Sequence, residues 1–153
     1  MIQARHLTKR YGNKVAVNDI SFDVHPGKVT GFLGPNGAGK STTMRMIMGL
    51  DRPTSGAVRV NGRPYRDLAA PLTEVGALLD AKGLHGSRTA RAHLKQLALS
   101  NGIPTRRVDE VLEFTGLSAV ANKRVQGFSL GMGQRLGIAA ALLGDPEILI
   151  FDE

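Results

Sequence analysis

The stretch GPNGAGKST, at residues 34–42, constrains the fold more than any other part of this sequence. Gly34, Gly39, Lys40 and Ser41 fit the pattern G-x-x-x-x-G-K-[ST] without a mismatch. The short apolar run VTGFLG leads into it and predicts a strand, and a helix is predicted from about Lys40. A strand, a glycine-rich turn and a helix in this order predict an α/β fold with a binding loop between strand and helix.

The residue types of this loop suit phosphate oxygens. Glycines let the backbone turn successive N–H groups inward, and the helix N-terminus adds free N–H groups and the positive end of its dipole. Lys40 can place its charge on the β- and γ-phosphates, Ser41 can bind Mg²⁺, and Thr42 can donate toward the α-phosphate. The predicted nucleotide-binding residues are Gly34, Pro35, Asn36, Gly37, Ala38, Gly39, Lys40, Ser41 and Thr42.

A second stretch, ILIFDE at residues 148–153, carries the acids that such a loop needs. Four apolar residues predict a buried strand of a parallel sheet, which ends in two carboxylates. Asp152 is predicted to hold Mg²⁺, and Glu153 to polarise the water that attacks the γ-phosphate. An acid pair after a strand can also be a loop or a helix cap, but the combination with GPNGAGKST favours the metal.

Composition excludes several other classes of protein. The chain of 153 residues has no cysteine, so disulfides and thiolate metal sites are excluded. No apolar run approaches the length of a membrane helix. The formal charge is +7, but the basic residues are scattered, aromatic residues are only 5%, and tryptophan is absent. A solvated basic surface is therefore favoured, and no nucleic acid is expected as a partner.

The order of the predicted elements indicates how the domain is organised. Two strands with alternating apolar residues are predicted before residue 25, and further strands at Ala57 to Gly62 and Val75 to Asp80. Helices are predicted in TARAHLKQLAL and TRRVDEVLEFTG, and a third from about Gly133. We expect one domain over residues 1–153, with a helical subdomain at about 80–130.

The last 27 residues, GFSLGMGQRLGIAAALLGDPEILIFDE, resemble the ATP-binding cassette (ABC) family. The family signature LSGGQ corresponds here to FSLGM, in which Leu130 replaces a glycine and Met132 a glutamine. KRYG, SFDVHPGKVTGFLGPNGAGKST and TSGAVRVNG agree with the family too, so the resemblance covers essentially the whole chain. It implies a P-loop NTPase core of the RecA-like type, with an N-terminal antiparallel β part and a helical insert.

The resemblance also implies roles for residues outside the loop. Tyr11 would stack on adenine, and Ser129 and Gly131 would contact the nucleotide of a partner chain, so that two chains enclose two ATP molecules. Asp80 stands where the family has a glutamine near Mg²⁺. The later loop and histidine of the family are absent, so we expect a chain truncated after Glu153, which would be inactive alone.

The resemblance therefore implies the ATP-binding and hydrolysing subunit of a transporter, with ATP and Mg²⁺ as cofactors. Its partners would be a second such subunit, identical or not, and an integral membrane permease, at the cytoplasmic face of the cell membrane. GALLDAKGLHGSRTARAHL resembles bacterial antibiotic exporters, which favours export. Two alternatives stay open: an ABC ATPase acting on ribosomes or nucleic acid, and a nucleotide-binding module without turnover.

Overall fold

The computed structural model describes residues 1–80 and 86–152, and the chain divides into two compact units. The first unit is Met1–Leu68 and the second is Ala69–Glu153. The expectation that residues 1–153 form one ABC ATP-binding domain stays a prediction. Within their own units, the strands and helices follow the α/β pattern expected from the sequence.

The first unit contains an antiparallel sheet of three strands: β1 at Ile2–Tyr11, β2 at Lys14–Val24 and β3 at Ser55–Val60. Their order in the sheet is β2-β1-β3. The strands β1 and β2 form a hairpin whose pairing runs from Ile2 with Val24 to Tyr11 with Lys14. The prediction of an antiparallel β part at the N-terminus is thereby confirmed.

Helix α1, at Lys40–Ile47, follows the glycine-rich loop and contributes to the core of this unit. Met46 packs with Ala4, Leu7 and Val17 of the sheet. The helix ends where Gly49 takes a left-handed conformation with φ 66°. The N–H of Leu50 then donates to the Arg45 carbonyl at 2.9 Å, and the N–H of Gly49 to the Met46 carbonyl at 3.1 Å. This pair of bonds is the Schellman motif, which satisfies carbonyls that a helix end leaves unpaired.

The prediction that VTGFLG, just before the loop, forms a strand is wrong. Residues 29–34 have no strand assignment, and among the described strands none pairs with them. Val29 and Leu33 are fully or almost fully exposed, whereas the Phe32 ring lies 5.6 Å from that of Phe22. An apolar run becomes a strand only when another backbone accepts its hydrogen bonds, and this run has side-chain packing alone.

The second unit contains a parallel pair of strands, β4 at Val75–Leu78 and β5 at Ile148–Phe151. The short helix α2, Pro71–Glu74, leads into β4. Helix α5, Leu130–Leu142, packs closely on β4, since a Cβ at Gly76 would collide with the Ala141 carbonyl. The prediction of ILIF as a strand of a parallel sheet is confirmed, although it is buried only in part: Ile150 is buried, and Leu149 and Phe151 are about half exposed.

Two further helices complete this unit, α3 at Ala90–Ser100 and α4 at Arg106–Phe114. Both lie in the range 80–130, where a helical subdomain was expected; the subdomain itself stays a prediction. Their buried faces and that of α5 share one core, which includes Leu94, Leu112 and Leu136. Within the described part of the chain, no helix is both long enough and apolar enough to cross a membrane.

The start of α5 differs from the prediction of a helix from about Gly133. The helix begins at Leu130, because Ser129 is its N-cap and the Ser129 hydroxyl accepts a hydrogen bond from the Met132 N–H. Serine is among the residues that best satisfy the free N–H groups of a first turn. The signature stretch is therefore the first turn of α5 and not a loop that precedes it.

Candidate functional site

The glycine-rich loop is a tight turn that ends in a left-handed residue. The Ala38 N–H donates to the Pro35 carbonyl at 3.1 Å, which closes the turn. Gly37 and Gly39 have φ values of 84° and 86°, a region that L side chains rarely adopt. A Cβ on Gly39 would in addition collide with the Ala16 carbonyl of β2. Glycine at position 39 is thus required both by the backbone conformation and by the close approach to β2.

This turn leads directly into the N-terminus of α1. Gly39 is the N-cap, and its carbonyl accepts from both the N–H and the hydroxyl of Thr43, each at 2.8 Å. Gly39 has no side chain to cap the helix, and the first turn contains no acid. The first N–H groups and the positive end of the helix dipole are therefore suited to an external anion.

Lys40 adds a positive charge at the same place. Its ammonium donates to the Gly34 carbonyl at 2.6 Å and to the Pro35 carbonyl at 3.2 Å, so the side chain folds back over the loop. Ser41 is exposed and Thr42 is half-buried, both in the first turn of α1. The structure thus brings the predicted residues 34–42 together in one cationic, N–H-rich loop, which suits a polyphosphate.

Tyr11 ends β1 with its ring about half exposed. The Tyr11 hydroxyl donates to Asp51 Oδ2 at 3.0 Å, and this bond raises the pKa of Tyr11 above its ordinary value. Arg45 Nε donates to the same carboxylate at 2.8 Å, which is the main reason why the pKa of Asp51 is lowered. Lys9 Nζ lies 4.8 Å from the centre of the Tyr11 ring.

The acids of the second unit lie at the carboxyl edge of the parallel pair. Asp152 follows β5 directly, and its N–H donates to the Leu78 carbonyl at 2.9 Å, which continues the ladder by one bond. Asp80 lies two residues beyond the end of β4. Because parallel strands end at the same edge, both predicted metal-binding acids are at one end of this sheet.

This donor set fits Mg²⁺ better than a metal that needs a full set of protein ligands. Among residues 1–80 and 86–152, no group of three or more His, Cys, Asp or Glu side chains could hold a metal ion. Mg²⁺ is usually held by one or two carboxylates together with waters and substrate phosphates. Asp80 and Asp152 are two carboxylates at one edge of the sheet, and their role as Mg²⁺ ligands stays a prediction. The prediction that Ser41 completes the site stays a prediction, and Glu153 lies outside the described residues.

The signature residues lie at the exposed start of α5. Ser129 and Leu130 are exposed, and no atom lies within 4 Å of a Cβ placed on Gly131. The Ser129 hydroxyl accepts from the Met132 N–H at 3.3 Å. This hydroxyl is therefore engaged in capping the helix, while Gly131 leaves open space beside the helix N-terminus.

Three side chains around Tyr11 were not singled out from the sequence: Lys9, Arg45 and Asp51. Of these three, only Lys9 could be inferred from the sequence as a neighbour of Tyr11. The two residues are two positions apart on one strand, and such residues share one face. Arg45 is at the end of α1 and Asp51 lies beyond it, 40 residues after Tyr11. Only the fold brings these two residues to the tyrosine.

A glycine turn, an uncapped helix start and a lysine over the turn define a P-loop protein. Comparison with protein families extends this result, since the family model described as ABC transporter matches residues 17–153. The chain belongs to the ABC transporter family.

Individual proteins agree with this assignment. The chain is 44% identical over 155 residues to the bacitracin transport ATP-binding protein BcrA of Bacillus licheniformis, covering 100% of this chain and 51% of that protein. It is 40% identical over 158 residues to the linearmycin resistance ATP-binding protein LnrL of Bacillus subtilis (strain 168), covering 100% and 51%. The chain thus spans about half the length of these curated relatives.

A solved structure matches with a TM-score of 0.89 and 25% sequence identity, over 100% of this chain and 74% of the other. It is the dimeric, post-hydrolysis state of the ATP-binding cassette MJ0796 bound to ADP and Pi. The expected recognition as an ABC transporter ATP-binding subunit and the expected fold class are both confirmed by these comparisons.

Proposed function

We propose that the chain is the ATP-binding and ATP-hydrolysing part of a transporter, in which ATP drives closure of a dimer and thereby export through a separate membrane subunit. The observation that carries this proposal is the loop at residues 34–41, with Gly39 fixed against β2 and the Lys40 ammonium over the turn. The coupling of ATP hydrolysis to transport is proposed on the basis of the family assignment.

The residues have separate roles in this proposal. The N–H groups of the loop and Lys40 bind the β- and γ-phosphates, and the ring of Tyr11 stacks on adenine. Ser41, Asp152 and Asp80 would each bind Mg²⁺, and the ion would neutralise charge on the phosphates. The helix start, the half-exposed ring and the shared sheet edge described above support these roles.

Hydrolysis requires a base for the attacking water, and we assign this role to Glu153. Glu153 accepts a proton from the water as its oxygen bonds to the γ-phosphorus. The bond from that phosphorus to the bridging oxygen breaks, and ADP and inorganic phosphate are the products. Lys40 stabilises the charge on the transferred group.

Dimerisation is part of the proposed mechanism. The open space beside Gly131 at the start of α5 suits the γ-phosphate of a nucleotide held by a second subunit, identical or not. ATP would join the two subunits and hydrolysis would separate them. The matched solved cassette is dimeric, which supports this arrangement.

We place the protein at the cytoplasmic face of the membrane, bound to a permease. The relatives are named for bacitracin transport and linearmycin resistance, so the proposed cargo is an antimicrobial compound that leaves the cell. This is the class of cargo and not a particular compound.

Lys40→Ala tests the proposed function in the complete protein. We expect ATP affinity, measured by calorimetric titration, to fall about 100-fold, since a charged hydrogen-bond donor to phosphate is lost. Lys28→Ala, at an exposed lysine of the same unit, is the control and should bind ATP normally. Unchanged affinity in Lys40→Ala contradicts the proposal.

Glu153→Gln tests the assigned base. ATP should still bind, while turnover falls by a factor of about 100 or more and the ATP-bound dimer accumulates in light scattering. Glu147→Gln, just before β5, is the matched control with normal turnover. Tight ATP binding with no turnover in the unchanged protein would instead favour a nucleotide-binding module.

A further inference from the structure

The side chains around Tyr11 form a connected cluster in the first unit. Its hydroxyl is bonded to Asp51, which also accepts from Arg45, and the Lys9 ammonium lies within cation–π distance of the ring. Lys9, Arg45 and Asp51, here called the tyrosine clamp, thus contact either the ring or the group that binds its hydroxyl.

Each member of the clamp is itself held in place. Lys9 Nζ donates to the Arg52 carbonyl at 2.7 Å, and this bond to the main chain restricts the position of the ammonium. The Asp51 side chain is only 18% exposed, so its carboxylate has little freedom to turn toward solvent. Arg45 lies in the last turn of α1, the helix whose first turn belongs to the phosphate loop.

We propose that Lys9, Arg45 and Asp51 are positioning residues, which hold the Tyr11 ring in the orientation that stacks on the purine of a bound nucleoside triphosphate. This inference rests on the proposed function. Tyr11 touches the base, whereas the clamp acts through Tyr11. The 47% of Tyr11 that remains exposed supplies the surface on which the base stacks.

The physical reason is the entropy of the side chain. A half-exposed tyrosine without partners would rotate, and binding would have to restrict that rotation. A ring that is already fixed at its hydroxyl loses less freedom when a base stacks on it, which strengthens binding. Because the hydroxyl is anchored beside Arg45, the position of the ring is also coupled to α1.

Asp51→Asn in the complete protein tests this inference. The change replaces the charged acceptor of the Tyr11 hydroxyl by a neutral amide oxygen, which binds the hydroxyl less strongly. We expect ATP to bind about 3- to 10-fold more weakly, within the range for one hydrogen bond. Tripolyphosphate, which has no base, should bind as before. Asp67→Asn, the same change at an exposed acid of the first unit, should leave both affinities unchanged.

The two ligands separate the possible failures. If Asp51→Asn binds ATP as tightly as the unchanged protein, the positioning role is overturned and the proposed function stands. If Asp51→Asn weakens ATP and tripolyphosphate equally, the effect acts on the phosphate loop and the inference is also overturned. If the unchanged protein binds neither ligand, the proposed function fails and this inference fails with it.

Tyrosine ionisation gives a readout that general loss of stability does not reproduce. The chain contains no tryptophan, so tyrosinate absorbance is not obscured by it, and subtraction of the Tyr11→Phe titration isolates Tyr11. Loss of the Asp51 carboxylate should lower the pKa of Tyr11 toward its ordinary value. An unchanged Tyr11 titration in Asp51→Asn would show that the hydroxyl is not held, which overturns the inference.

A double-mutant cycle completes the test. Tyr11→Phe keeps the ring but removes the hydroxyl, so it should weaken ATP binding at least as much as Asp51→Asn. The two changes together should then cost no more than Tyr11→Phe alone, because both act on the same hydrogen bond. Fully additive losses in ATP affinity would show that the two residues act independently and would contradict the clamp.

Discussion

Helices α1 and α5 both begin at residues predicted to contact phosphate, but their first turns are stabilised differently. The start of α5 is capped by the Ser129 hydroxyl. The start of α1 follows Gly39, which has no side chain to cap the helix. Further stabilising contacts lie at the other end of α1, in the Gly49 turn and the Arg45–Asp51 ion pair. A helix that leaves its N-terminus available to a ligand is thus anchored at its C-terminus.

The largest effect expected from this comparison concerns Gly39. Gly39→Ala introduces a Cβ at positive φ that also collides with the Ala16 carbonyl, so the free energy of unfolding should fall by about 3 kcal/mol. Gly37→Ala is a control with similar φ and no atom within 4 Å of the new Cβ, so only about 1 kcal/mol should be lost. Chemical denaturation measures both, and equal losses would contradict the close approach of the loop to β2.

A smaller effect is expected at the start of α5. Ser129→Ala removes the cap and should lower the free energy of unfolding by about 1 kcal/mol, whereas Ser129→Asp keeps a capping oxygen and should restore most of it. Ser118→Ala, at a serine that begins a 3₁₀ turn and is not its N-cap, should have little effect. If Ser129→Ala is as stable as the unchanged protein, the cap contributes nothing to α5.

The smallest effect concerns the pH dependence of the Arg45–Asp51 ion pair at the C-terminal end of α1. Hydrogen bonding to Arg45 lowers the pKa of Asp51, so the folded state prefers the ionised carboxylate. This stabilisation is fully present above the unfolded pKa of about 3.9 and is lost as pH falls through the lower folded value. The stability difference between the protein and Asp51→Asn should therefore shrink on acidification below pH 4. A constant difference across that range would contradict the ionic anchor.

The local parts of this molecule were predictable from the sequence. The start of α1 at Lys40 and its end before Gly49 depend on residues within ten positions, and both were predicted correctly. The apolar spacing that begins at Leu136 predicts a start of α5 near Gly133, three residues later than the observed Leu130, because the first turn after the Ser129 cap carries no part of that apolar pattern. One serine can both cap a helix and contact a ligand, and sequence alone does not separate these roles.

Features that depend on distant residues were harder to predict. VTGFLG and ILIF are both short apolar runs, yet only ILIF is a strand, because β4 accepts its hydrogen bonds. Likewise, the sequence predicts Tyr11 as a binding residue, but its partner Asp51 lies 40 residues further along the chain, in the segment between α1 and β3. Hydrophobic pattern gives the tendency of a segment, whereas pairing and packing decide the outcome.

The hydrogen bond from the Asp152 N–H to the Leu78 carbonyl has a consequence for insertions and deletions in this chain. Sliding β5 by one residue would turn the Asp152 carboxylate to the opposite face of the sheet, and sliding it by two would move it about 6.6 Å along the strand. The connecting segments among the 69 residues between β4 and β5 can therefore change in length, as long as the helices and the pairing of the two strands are kept. Strand pairing thus sets the position of Asp152, whatever the length of the segments that connect β4 to β5.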